Sequence, residues 1–205
     1  MRVSIDKLQT LFKKIQQLKD HQRQYHLDPD RTPVSIDDLI WVVKDAYGVD
    51  IEIFEVDFDA SHVRGYLERG KEKACIYLRE DQSDFYKRVT ITKELVHIVL
   101  DEEEDWSVDA LNTLQGLLVS YVIGDEDEDN GEHDGPIISE RLAVIGAAEI
   151  LFPRDLRAAS QRELNGGRTI KAIALDFNIP DEMASWVLSE RYTELVDTVW
   201  ETLDD

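Results

Sequence analysis

Glu94 and His97 stand three residues apart in the run Lys93-Glu-Leu-Val-His97, so on a helix they share one side, about one turn apart. A helix of HExxH type uses that side for hydrolysis. Two histidines at i and i+4 hold one zinc ion, and the glutamate beside the first activates a metal-bound water as general base. Here the first histidine position is Lys93. An ammonium has no free lone pair for zinc, and it would have to lose a proton against an unperturbed pKa of about 10.4. It would also place a second positive charge beside a dication. The pattern K-E-x-x-H by itself arises often by chance on helices, so its weight rests on what surrounds it.

The elements around the run are legible from periodicity. Apolar residues at Ile5, Leu8, Leu11, Phe12, Ile15 and Leu18 give one face of an amphipathic helix over residues 3–25, with Lys7, Lys13, Lys14, Lys19 and Arg23 on the other. The two prolines of HLDPDRTP break it, and a second helix begins after Ser35, with Asp38 as its capping partner, and stops at Gly48. Three strand-like stretches follow over 49–56, 62–68 and 73–79, with a hairpin turn between the last two. Together they predict a small three-stranded antiparallel sheet. The remainder predicts helices over 84–100, 107–123, 139–151, 153–164, 169–177 and 181–201, with an acidic, glycine-containing loop over 125–135. The fold class expected is α+β, mostly helical, as an N-terminal helix (1–28) and a main domain (34–205).

In that setting Arg88-Val-Thr-Ile-Thr-Lys-Glu-Leu-Val-His-Ile-Val-Leu resembles the ImmA/IrrE family segment R-F-T-L-A-H-E-L-G-H-L-L-L. The run from Glu140 to Pro153, with Ala143, Ala147, Ala148, Glu149 and Leu151 in place, is similar to that family's E-x-x-A-N-x-F-A-A-E-L-L-M-P. It departs at Val144 and Gly146, where the family has Asn and Phe. Ile170 to Val187 looks like the family's closing helix pair, and the likeness spans about residues 34 to 192. The resemblance implies a zincin-like metallopeptidase fold, with Glu94 as general base and His97 and Glu140 as zinc ligands. Lys93 puts that ligand set in doubt, because two protein ligands fall short of the three a catalytic zinc requires. Asp101 or His133 could complete the set only after a loop rearrangement. A bound zinc stays possible, but the expectation favoured is that none binds and that Lys93 replaces the metal, its ammonium pairing with Glu94 or Glu140; the alternative is a lysine turned to solvent over an empty pocket. Whether the chain is an enzyme stays open at this level.

The balance of charge narrows the partners. With 23 basic and 44 acidic residues among 205, the formal net charge is -21, and the runs 101–105 and 125–134 carry much of the surplus. Such acidity excludes direct binding to DNA or to an anionic membrane, both of which need a basic face. The C-terminal pair around Ala172–Ala184 has helix-turn-helix spacing, but its second helix is acidic, so packing is its role. A single cysteine, Cys75, in a strand-like alternation forms no internal disulfide and fits a cytoplasmic address. His21, His26 and His62 lack ligand spacing and read as ordinary surface or turn residues, while Trp106, Trp186 and Trp200 read as core.

Three functions follow. The first is a catalytically impaired ImmA/IrrE-like protein that binds a protein partner in a regulatory or mobile-element circuit. The family implies a helix-turn-helix repressor as that partner, and the lysine-rich first helix could pair two copies. The second is an active zinc peptidase cleaving such a repressor. The third is an acidic adaptor, or nucleic-acid mimic, that docks a basic protein.

Overall fold

The computed structural model describes residues 3–58, 64–101 and 135–204. The expected helix over 107–123, the acidic loop over 125–135 up to its last residue, His62, Trp106 and His133 lie outside them. In chain order the described elements are α1 (Ile5–Gln24), α2 (Ile36–Tyr47), β1 (Asp50–Val56), β2 (Gly65–Arg69), β3 (Lys73–Arg79), α3 (Asp84–Leu100), α4 (Gly135–Leu151), α5 (Arg154–Asn165), α6 (Ile170–Phe177), α7 (Asp181–Val187) and α8 (Glu190–Asp204). The class is α+β, as its periodicities predict.

Local signals set the ends of the helices. Ser4 and Ser35 accept the Lys7 and Asp38 amides at the starts of α1 and α2, and α2 ends on Gly48 in the left-handed region (φ 63°) that glycine occupies without strain. Thr169 caps α6 through the Ala172 amide, and Asn178 closes it at φ 54°. The single helix expected over 181–201 is two helices. Ser189 explains the break: its hydroxyl accepts the Tyr192 amide at 3.3 Å, which starts α8 afresh.

The sheet is mixed, not antiparallel throughout. Its order is β1-β3-β2, with β3 parallel to β1 and antiparallel to β2. The β2–β3 hairpin forms as its sequence predicts, with the Gly70 amide bonded to the Lys73 carbonyl at 2.7 Å. Strands consecutive in sequence, β1 and β2, are not neighbours in the sheet. The most apolar strand takes the centre, with Ala74, Ile76 and Leu78 buried on one face, so β2 goes to the outer edge and β3 returns beside β1. Cys75 alternates onto the opposite face, half-buried beside Tyr77.

One core spans the described residues. Helix α3 runs through its middle against α1, α2, α4, β2 and β3, and Leu95 to Val99 are buried on every side. Helix α1 contributes Leu8, Leu11 and Phe12, none of them exposed, and packs on α2, α4 and α8. Gly146 lets α4 approach. A β-carbon there would lie 2.8 Å from Val96 Cγ1 and 3.0 Å from Leu11 Cδ1, so these two side chains fill the space a larger residue would need. Of the tryptophans, Trp200 stacks on Phe12 at 4.6 Å, whereas Trp186 is 38% exposed rather than core. Among the described residues no helix is long and apolar enough to cross a membrane.

Candidate functional site

Helix α3 carries Lys93, Glu94 and His97 toward the start of α4, which supplies Ser139 and Glu140. The residues singled out from sequence do meet. Lys93 Nζ donates to Glu140 Oε2 at 2.9 Å and lies 3.1 Å from Glu94 Oε1. His97 Nε2, the ring atom facing the same place, is 3.2 Å from Glu140 Oε1. Glu94 Oε1 and His97 Nε2 make no aligned hydrogen bond, so their attachment to these neighbours is through charge. The Lys93 ammonium thus lies between two acidic side chains, one of which, Glu140, also meets the imidazole.

Residues that sequence reasoning assigned no supporting role hold the imidazole in place. His97 Nδ1 lies 2.8 Å from Asp101 Oδ2 and 3.1 Å from Ser139 Oγ, and Ser139 in turn donates to Asp101 Oδ1 at 2.5 Å. Arg69, from β2, donates to the carbonyls of His97 and Asp101, fixing the end of α3. Asp101 had a visible signal, since it follows His97 by four residues, the spacing of helical neighbours. Ser139 and Arg69 had none, because only the tertiary fold brings them near. Asp101 is therefore a partner of Nδ1, while Nε2 faces Glu140.

Charge states follow from these contacts. Burial would depress the Lys93 ammonium, but Glu94 and Glu140 outweigh it and hold its pKa above the usual lysine value. Burial likewise acts to lower His97, yet pairing with Asp101 and Glu140 and the charge of Glu94 raise it to about 9. Glu140 feels the converse: burial acts upward, Lys93 and then His97 act downward, and its pKa stands well below the carboxylate range. At neutral pH two cations face three acidic side chains.

A catalytic zinc does not fit this donor set. It needs three lone-pair donors around an open position, and here one of three candidate positions is a protonated amine held by the others. Among the described residues no three His, Cys, Asp or Glu side chains are grouped to hold a metal ion. The arrangement can bind, orient and neutralise charge.

The cluster also makes stability depend on pH. His97, raised from 6.5 to about 9, contributes fully below about pH 6.5, and that contribution is lost as pH climbs through about 9. Glu140, depressed, contributes above about pH 4.5 and loses its share only in acid. Unfolding free energy from this cluster should therefore be greatest near pH 5–6.5 and fall by up to about 3 kcal/mol toward pH 9.5. Urea midpoints across that range check the slope, which should flatten in His97→Gln. An equal slope in the variant would assign it elsewhere.

Comparison with known proteins bears on the fold. The family model of the IrrE N-terminal-like domain matches residues 46–189. Among solved structures, a Mycobacterium tuberculosis transcriptional regulator is similar with a TM-score of 0.50 and 14% identity, over 88% of this chain and 50% of that one. At that identity the likeness concerns the fold, and this chain spans half the length of the regulator. No curated protein matches the sequence.

Proposed function

The chain belongs to the IrrE N-terminal-like domain family, and on that premise we propose that it is a metal-free member without peptidase activity, acting by binding a regulatory protein. One observation carries the reading: the Lys93 ammonium, 2.9 Å from Glu140 and 3.1 Å from Glu94, pairs with the acidic groups that the family uses to hold zinc and to activate water. With the zinc position taken by a protonated amine, neither the Lewis acid nor the activated water of a zinc peptidase can form. What remains is a shaped, acidic domain.

The similarity to a transcriptional regulator supports a place in a regulatory circuit, and the formal charge of -21 supports a basic partner, such as a helix-turn-helix repressor, over nucleic acid itself. The apolar face of α1 is buried against its own chain, so a second copy meeting this helix would use the lysine-bearing face.

Metal content tests the reading. The parent protein, purified without a tag and measured by plasma mass spectrometry, should carry no stoichiometric zinc. Lys93→His supplies a third protein ligand and should take up about one zinc per chain. Stoichiometric zinc in the parent would overturn the proposal and direct attention to repressor cleavage.

A further inference from the structure

Helix α2 carries Asp37, Trp41 and Asp45 at successive four-residue intervals, so an indole lies on one outward stripe with a carboxylate a turn to either side. The core is served by other positions, Leu39, Val42 and Val43. Trp41 is 41% exposed, and Tyr25, at the end of α1, stands edge-on to it at 4.7 Å while itself 49% exposed. Trp41 borders an open cavity of 460 Å³ that Asp37, Ile40, Lys44 and Asp45 also line. Of the basic groups there, Lys44 is drawn to Asp50 at 2.6 Å, and His21 reaches Asp45 at 2.8 Å. Asp37 has no ion-pair partner among the described residues and is exposed.

We propose that this depression seats a cationic side chain, a guanidinium by preference, from a basic segment of a protein partner. An aromatic face attracts a cation through its quadrupole, tryptophan most strongly, and flanking carboxylates add direct ion pairing. A planar guanidinium can stack on the indole while its edge donates to Asp37, which a compact ammonium cannot do together. The overall negative charge draws a basic segment in, and the stripe gives it a place to lodge. None of these residues belongs to the Lys93 cluster, so the inference stands apart from whether that cluster binds metal.

The ordinary alternative is an amphipathic helix whose outer tryptophan leans on a neighbouring tyrosine, with any basic peptide held diffusely by net charge. A labelled short peptide with two arginines, followed by fluorescence anisotropy at 0.15 M salt, separates the two. Trp41→Leu keeps an apolar side chain but removes the ring, and it should weaken binding about tenfold; Trp41→Phe should retain most of it. Asp37→Asn should weaken binding about threefold, whereas Glu201→Gln, the same charge change on α8, should leave it unchanged. A lysine version of the peptide should bind less tightly. Equal binding by Trp41→Leu and the parent, or equal losses from Asp37→Asn and Glu201→Gln, would overturn the proposal in favour of diffuse attraction. Absence of peptide binding by the parent would overturn it outright.

Discussion

Lys93→Ala should lower the unfolding free energy by about 2–4 kcal/mol. Breaking a buried pair from one side leaves uncompensated charge, which costs about 3–5 kcal/mol when the site is dry, and this one retains some water access. Lys93 and Glu140 are 20% and 24% exposed, while Glu94 is 3%. Removal of the ammonium leaves two acidic side chains facing each other across the space it filled. Urea unfolding near pH 7 gives the measurement. The companion Lys93→Met/Glu94→Gln, which removes the ammonium together with the more deeply buried carboxylate and leaves Glu140 paired with His97, should recover most of the loss. An alanine variant that unfolds like the parent would mean that the ammonium is not what holds these groups together.

A comparable loss, about 3–5 kcal/mol, is expected from Glu149→Leu. Glu149, on α4, is 2% exposed and gathers three donors: Arg157 Nη2 from α5, and Tyr192 Oη at 2.7 Å and Trp200 Nε1 at 2.9 Å from α8. Arg157 is itself 3% exposed, so deleting the glutamate leaves a buried guanidinium with only the more distant Asp197, 3.8 Å from Nη1, as its ion pair, and takes the acceptor from a hydroxyl and an indole N–H. Burial, then the charge of Glu149, raises the Tyr192 hydroxyl well above its usual range, so it remains a donor throughout accessible pH. The double variant Glu149→Leu/Arg157→Met should lie much closer to the parent, because replacing both members of a buried pair costs far less than removing one. If the single and double variants lose equally, the knot contributes by packing and not by charge.

Much of this was visible in the residues. Periodicity and caps located α1, α2, α3 and α6 to within a residue or two, because end signals such as Ser35 and Gly48 act within a turn of chain. The Lys93, Glu94, His97 and Glu140 constellation was legible because helical spacing fixes the first three, and one motif match supplied the fourth. Strand order was not legible. Alternation marks which face of a strand is buried, but both neighbours of β3 satisfy it equally, so the parallel pairing with β1 depends on the whole core. Glu149 could be matched to a motif, yet its three donors come from two later helices that no local pattern ties to it. Gly146 looked like a departure from the resembling segment, where Phe is usual. In the fold Leu11 of α1 reaches across to that position, so a residue outside the matched region takes up the missing volume.

The pairing of α1 with α8 has a consequence for how the chain is made. Phe12 stacks on Trp200, and Gln9 donates to Thr202, a contact between residues 193 apart in sequence. A ribosome adding about 5–20 residues per second needs roughly 10–40 s to cover that interval. For that time the apolar stripe of the first helix lacks its last neighbour, and its Phe12 ring remains available to whatever else is nearby. A nascent chain of this kind is a natural client for a holding chaperone, and its ribosome-bound form should be more protease-sensitive in α1 than the finished protein.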